Sequence, residues 1–552
     1  MLFVLALLPL LLCIILMAVF NIPAKFSLPI SWLVACVLGL IFWKMEFLEV
    51  LAYSLSGIFN SLDVLITVIG AVLIMNTLKA SGAMNSINNG FKSISSDSRV
   101  QLIIIGWMFG GFLEGAAGFG SPAALAGPLL VSLGFPPVAA VVGALIMDTT
   151  SVSFGAVGTP VAQALASLGV GVATDGFTHG ITIWTAIPHA IVGTFIPFIA
   201  VAVIMKFFTK EKSFKSALSI LPFAAYAGVL FTLPYTIIAV TLGYEFPSLL
   251  GALIGLPILI LTTRKGFLIP KKKWNFSGEE TWDESWKSTS PLPQNNESKM
   301  SILKAWTPYL LIAFLLIITR LPFLPFKSIL SGTGVAGNFF APKISNLFNV
   351  PNTSYTFKWA WLPGFIFILV GVATIFIHKM KKPEVKIAYK NTLKQVGGAA
   401  ITIMFGLALV QIMRYSGSND IASAETKSMI FYLADGLSKV GRELFVGFSP
   451  FIGILGTFIS GSNTVSNTLF TNLQYQSALN LALPPTLIVS MQIVGGAVGN
   501  MVSINSTVTA CATVGVSGKE GKIIRTNIIP ASIYAALIIV VFAVSIFVFN
   551  FS

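Results

Sequence analysis

FLEGAAGFGSPAALAGPLL, Phe112–Leu130, lies inside a long apolar region, yet between Glu114 and Gly127 it carries a carboxylate and four glycines. Pro122 and Pro128 interrupt it further. The rest of the chain shows what kind of environment holds it. Of 552 residues, 55% are hydrophobic and only 10% charged, with a mean hydropathy of +0.87. Ordinary soluble domains carry about 25% charged residues. Segments of about 20 apolar residues recur along the chain, the length that spans a bilayer as a helix. The sequence reads as an all-α polytopic membrane protein. Phe112–Leu130 then reads as backbone that leaves the helix at membrane depth.

Met1–Phe20, MLFVLALLPLLLCIILMAVF, precedes the first cation, Lys25. It lacks the basic start of a signal peptide and reads as a retained first span. The net charge of +14 does not point to nucleic acid, because the cations gather at span ends. Three such stretches, around Lys206–Lys215, Arg264–Lys273 and Lys379–Lys390, are expected in the cytoplasm. Two spans separate each pair, so one side holds all three. Cys13, Cys36 and Cys511 sit in apolar stretches with no disulfide or metal spacing. No phosphate-binding G-x-x-x-x-G-K-[ST], H-E-x-x-H or Ser-His-Asp pattern occurs. The expectation is a non-enzyme without cofactor or metal.

The chain repeats itself weakly but in order. Lys79 with Ser81-Gly82 matches Arg414 with Ser416-Gly417. FLEG (Phe112–Gly115) matches FISG (Phe458–Gly461), and Pro136-Pro137 matches Pro484-Pro485. WTAIPHA (Trp184–Ala190) resembles RTNIIPA (Arg525–Ala531). Opposite charge bias before the last helix of each half makes the repeats inverted, as in secondary transporters. The division is N-terminal spans 1–61, a first repeat 62–208 with a re-entrant hairpin near 100–135, and linking spans 209–263. A cytoplasmic polar loop 264–303, two linking spans and a basic loop 304–395, and a second repeat 396–552 with a hairpin near 443–483 complete it. Parity gives about 12 transmembrane helices plus two re-entrant hairpins, with both termini outside.

The hairpin tips are EGAAGFGSP (Glu114–Pro122) and SGSNTVSNT (Ser460–Thr468). Exposed helix ends at membrane depth attract ions, and glycine lets a ligand approach the backbone. Two further helices, Ala144–Ala166 and Gly495–Gly515, have glycine and small polar residues mid-span. Gly118, Phe119, Gly120, Ser121, Ser153, Gly155, Thr159, Ser462, Asn463, Thr464, Ser466, Asn467, Thr468, Asn500 and Asn505 are therefore the candidate binding residues. A helix–helix seam of small polar residues is the competing reading. A carboxylate in the bilayer costs roughly 3 kcal/mol or more, and protonation is its cheap escape. Glu114 and Asp148 are thus the candidate proton carriers. Asp63 reads as a helix cap, Lys79 and Arg414 as snorkelling cations, and His189 as a satisfied core residue.

Glu114–Pro137 together with Ser151–Val161 (SVSFGAVGTPV) resembles the L-lactate permease family, and the whole chain matches its layout. The resemblance implies a bacterial inner-membrane symporter taking up L-lactate, D-lactate and glycolate with protons. It also implies membership of a broader ion-transporter superfamily with Ser-Asn-Thr hairpins and an elevator movement. SNTVSNT at Ser462–Thr468 is similar to that signature. The first tip has GAAGFGSP instead, which weakens a two-site sodium arrangement. The expected partners are a small monocarboxylate, a proton and the bilayer, without nucleic acid; a homo-oligomer stays open. A sodium-coupled carboxylate transporter is the alternative, and a channel or membrane enzyme is the reading from another class.

Overall fold

The computed structural model describes residues 2–18, 20, 22–91, 94–118, 121–168, 171–210, 214–288, 300–320, 324–330, 332, 337–417 and 427–549. With no water in the hydrocarbon core, each span must pair its own backbone groups, so apolar segments become helices. Helices α1 (Leu2–Ala18), α2 (Ala24–Phe42), α3 (Phe47–Ala80) and the short α4 (Ala83–Phe91) open the chain. Hairpin 1 follows, with arms α5 (Ser98–Ala117) and α6 (Ser121–Ser132). A broken helix comes next, α7 (Pro137–Val152) and α8 (Gly155–Ser167), bent by 54°. α9 (Asp175–Gly193) and α10 (Ile196–Phe207) form a second bent pair, at 43°.

Four helices link the halves: α11 (Leu221–Leu242), α12 (Pro247–Arg264), α13 (Ile302–Arg320) and α14 (Pro363–Ile377). Between the last two, Lys343–Ile344 pairs antiparallel with Tyr355–Thr356. The second half repeats the first. It has α15 (Lys382–Tyr415), a short α16 (Met429–Ser438), and hairpin 2 with arms α17 (Arg442–Ser460) and α18 (Asn463–Asn480). A broken helix, α19 (Pro485–Gly499) and α20 (Ile504–Thr513), and the final α21 (Glu520–Phe547) complete it. Side-chain caps start several of these helices: Asp97 accepts from the Arg99 N–H, Ser428 from Phe431 and Ser462 from Val465.

Among the described residues, eight helices are long and apolar enough to cross a bilayer, and the two bent pairs pass together. One of the eight is α5, a hairpin arm wholly buried in protein. Adding the shorter apolar stretches Leu2–Leu16, Ile302–Leu316 and Pro363–Ile377 gives the twelve crossings that parity expects. The outer faces are apolar, as a lipid contact requires: Val229, Leu233, Ile237 and Val240 of α11 are all exposed.

The relation between the halves is set by α3 and α15, each 34 residues long. They pack antiparallel along their length. Tyr53 stacks on Tyr415 with ring centroids 4.8 Å apart, Leu65 and Val68 cluster with Ile403, and Asn76 donates to Thr392 Oγ1 at 3.2 Å. Equivalent helices running in opposite directions are what inverted repeats demand. The cross-contacts are reciprocal too. α6 of hairpin 1 packs on α20, and α18 of hairpin 2 packs on α8. α9 packs on α19 as α21 packs on α7.

The polar linker is not free-standing. Arg99, in an ion pair with Asp97 at 2.6 Å, donates to the Lys272 carbonyl, and Trp274 N–H donates to Asp97. Farther along, Lys519 donates to the Glu284 and Lys287 carbonyls. Residues 289–299 lie outside the described residues. Asp63 caps nothing: it lies well inside α3, and its carboxylate accepts the Tyr355 hydroxyl at 2.6 Å. Sequence placed a helix start there because α3 was read from residue 62 instead of Phe47.

Close approach of α3 and α15 yields a test. A Cβ on Gly57 would lie 2.5 Å from the Ala408 backbone, whereas one on Gly397 would meet nothing within 4 Å. Gly57→Leu is expected to destabilise the fold by roughly 1–3 kcal/mol through overpacking. Gly397→Ala should be neutral or slightly stabilising. Melting temperatures of the detergent-purified variants check both.

Candidate functional site

Each hairpin turns on a glycine with a left-handed backbone. Gly118 (φ 56°) ends α5 and Gly461 (φ 75°) ends α17. Only glycine takes such angles at no steric cost. A Cβ on Gly118 would come within 2.9 Å of Ala156 Cβ, and one on Gly461 within 2.4 Å of Asn505 Cβ. Each tip therefore rests on the break of the interrupted helix in its own half. The first break is strained: Ala156, Val157 and Gly158 all have positive φ, at 41°, 54° and 74°. Left-handed non-glycine residues cost about 1–3 kcal/mol each and persist only where the surroundings hold them. The second break is relaxed, a 3₁₀ turn over Asn500–Val502 followed by Ser503, whose side chain caps α20 at the Ser506 N–H.

Two tips and two breaks enclose one small cavity of about 30 Å³, with Glu114, Gly155, Ser462, Asn463, Thr464 and Asn500 on its wall. It has room for about two waters. The N-terminus of α18 opens onto it, with Ser462 as cap and Asn463 and Thr464 as the first helical residues. The first N–H groups of a helix have no partner within it and attract negative charge.

Among the described residues, the charge lining this cavity is acidic. Glu114 is 5% exposed, and its Oε2 has no hydrogen-bond partner there. Gly155 is needed beside it, since a Cβ there would meet Glu114 Oε1. Asp148 lies one residue behind the wall, fully buried and within electrostatic reach of Glu114. Its carboxylate accepts from Asn500 Nδ2 at 2.9 Å and from the Ser151 hydroxyl at 3.4 Å. Asn500 Oδ1 accepts from Ser506, which accepts from Ser503. A polar chain thus ties the second break to the acid of the first.

The candidate residues separate into groups. Gly118, Gly155, Ser462, Asn463, Thr464, Asn500 and Glu114 share the cavity wall. The second Ser-Asn-Thr does not reach it. Ser466 donates to the Gly453 carbonyl, Asn467 to the Pro160 carbonyl and Thr468 to the Thr464 carbonyl. These three form a polar seam. Ser153 points away to His189 Nε2 at 2.8 Å, and His189 Nδ1 meets the Tyr534 hydroxyl at 2.6 Å. Thr159 lines a separate cavity beside Asp63, and Asn505 lines another beside Lys25. Phe119, Gly120 and the Ser121 side chain lie outside what the structure describes. Lys79 and Arg414 are not on the cavity wall.

Sequence reasoning missed Gly461 and Pro160, which also line the cavity, and Gln492, which donates to Ser466 and Asn467. A lone amide in the apolar run IVSMQIVGG, Ile488–Gly496, was the available signal for Gln492.

Comparison with known proteins gives a consistent result. The family model described as L-lactate permease matches residues 2–549. A Haemophilus influenzae protein is 32% identical, with 97% of each chain covered. The Escherichia coli L-lactate permease is 29% identical over 94% of this chain and 92% of its own. The Escherichia coli glycolate permease GlcA is 28% identical over 99% of this chain and 96% of its own. Among solved structures, the Alcanivorax borkumensis YdaH transporter aligns with a TM-score of 0.49 at 14% identity, covering 94% of this chain and 98% of that one.

The bridge between the two breaks can be measured. Hydrogen bonds to charged groups contribute about 1.5–3 kcal/mol. Asn500→Ala should lower the melting temperature in detergent, and so should Asp148→Ala. The double variant should lose clearly less than the sum, because removing either partner already breaks the bond.

Proposed function

We propose that this chain, which belongs to the L-lactate permease family, takes up L-lactate, D-lactate and glycolate across the bacterial plasma membrane by proton symport. The observation that carries this reading is the charge of the central cavity. Glu114 lines it, Asp148 stands one hydrogen bond behind Asn500, and no Lys or Arg lines it among the described residues. Two like unit charges about 4 Å apart repel by ~4 kcal/mol at an effective dielectric of 20. A monocarboxylate cannot sit against an ionised Glu114 without compensation. A proton on the acid removes the repulsion and turns the carboxyl into a hydrogen-bond donor for the substrate. One anion and one proton then move together.

The remaining groups suit a 2-hydroxy acid. The first N–H groups of α18 and the Ser462 and Thr464 hydroxyls can donate to a carboxylate. Glu114 Oε2 is a buried acceptor without a partner among the described residues, left for the substrate hydroxyl once the tips part and the proton sits on Oε1. A cavity of about 30 Å³ is too small for lactate as it stands. Binding requires the tips to part, which fits an elevator-type movement of the hairpins and broken helices against α3 and α15.

Sodium coupling is the second reading, supported by the Ser-Asn-Thr tip and the two acids. Uptake of labelled L-lactate into proteoliposomes separates the two. Accumulation is expected under an inward proton gradient without sodium, and none under a sodium gradient at equal pH. Glu114→Gln should abolish gradient-driven accumulation while retaining lactate exchange. Wild-type accumulation by that variant would remove Glu114 from the coupling step. Thr464→Val, which removes one of the hydroxyl donors from the cavity wall, should raise the apparent KM about tenfold, the loss of one good hydrogen bond.

A further inference from the structure

A larger cavity, about 230 Å³, lies on the far side of the hairpin 2 tip. Ser462 and Thr464 belong to the walls of both cavities, so the tip is a shared partition. Lys25, Thr402, Ser460 and Asn505 form the rest of the polar lining, with Gly398 beside Lys25. Lys25 stands in the first turn of α2 and is exposed. Its stem runs along α15 where Gly398 has no side chain: a Cβ there would sit 3.7 Å from Lys25 Cδ. Its Nζ lies 5.0 Å from the Phe26 ring centroid, and it forms no ion pair among the described residues.

The internal repeat supplies an independent comparison. The match of Lys79 to Arg414 places Asp63 opposite Gly398 and Thr67 opposite Thr402. The local geometry agrees. Thr67 donates to the Asp63 carbonyl at 3.2 Å, and Thr402 donates to the Gly398 carbonyl at 2.9 Å. Asp63 and Thr67 line a cavity of about 290 Å³, together with Thr159 and Glu245. The two halves therefore carry equivalent cavities of similar size and opposite charge. One presents Asp63 and Glu245. The other has glycine at the equivalent position and gains a lysine from α2, a helix outside the repeat.

We propose that the Lys25 cavity is an anion antechamber, a second and weaker site for small monocarboxylates. One crossing in from an outside N-terminus, the cavity belongs to the cytoplasmic side, and Lys25 Nζ holds the carboxylate there as it passes between the central cavity and the cytoplasm across the hairpin 2 tip. A cationic recess raises the local concentration of an anion and its rate of arrival, and salt screens the effect. The proposal rests on the carboxylate-transport reading above.

The test is counterflow of labelled L-lactate in proteoliposomes at low and high ionic strength. It compares wild type, Lys25→Gln, Lys25→Arg and Gly398→Asp. Lys25→Gln should raise the apparent KM roughly 5–10-fold at low salt and flatten its dependence on ionic strength. Lys25→Arg should keep both near wild type. Gly398→Asp sets a carboxylate beside Lys25 and should reproduce the loss from the opposite wall, on a lysine that is intact. Unchanged KM and salt dependence in Lys25→Gln and Gly398→Asp, with wild type active, overturns the antechamber alone. Absence of lactate counterflow in wild type overturns the transport reading itself.

Discussion

Backbone polar groups have no partner in lipid, so a helix can be broken inside a membrane only where protein encloses the break. Four of the breaks among the described residues lie at Gly118, at Ala156–Gly158, at Gly461 and at Asn500–Ser503. All four meet at one point. That convergence follows from the constraint, because each break shelters the others. It also concentrates unpaired helix ends, two carboxylates and several hydroxyls in one place. The candidate site is built from the groups that a lipid-facing helix cannot expose.

The antiparallel pair α3 and α15 makes the convergence possible. At about 1.5 Å per residue each helix is roughly 51 Å long, well beyond the ~30 Å hydrocarbon core. Small residues such as Gly57 let the two backbones touch. The repeats then approach from opposite directions, and reciprocal packing of α6 on α20 and α18 on α8 locks the tips face to face. The symmetry is incomplete where chemistry differs. The first break is left-handed and strained; the second is capped by Ser503 and relaxed. Glu114 and Asp148 both come from the first half, and the Ser-Asn-Thr tip comes from the second.

Much of this was legible in one sequence. Charge placement and parity led to twelve crossings and two hairpins, and weak matches such as FLEG with FISG led to the repeat. What failed has a common cause. Motif residues alternate around a helix, so only part of a motif faces a site. Ser462, Asn463 and Thr464 start α18 and line the cavity, while Ser466, Asn467 and Thr468 lie one turn deeper and bind neighbouring backbone. Asp63 has the composition of a cap, but its partner Tyr355 is far away in sequence.

Sequence alone determined the class, the repeat and the residues that break helices, because these depend on composition, spacing and local backbone preference. The L-lactate permease resemblance was also carried by contiguous motifs. Tertiary structure decided which polar residues share a cavity. It joined Asp148 to Asn500, turned Ser153 toward His189 and set Lys25 against Gly398. Those partnerships cross between distant segments, and no local pattern encodes the direction in which a side chain meets a helix folded back from the other half.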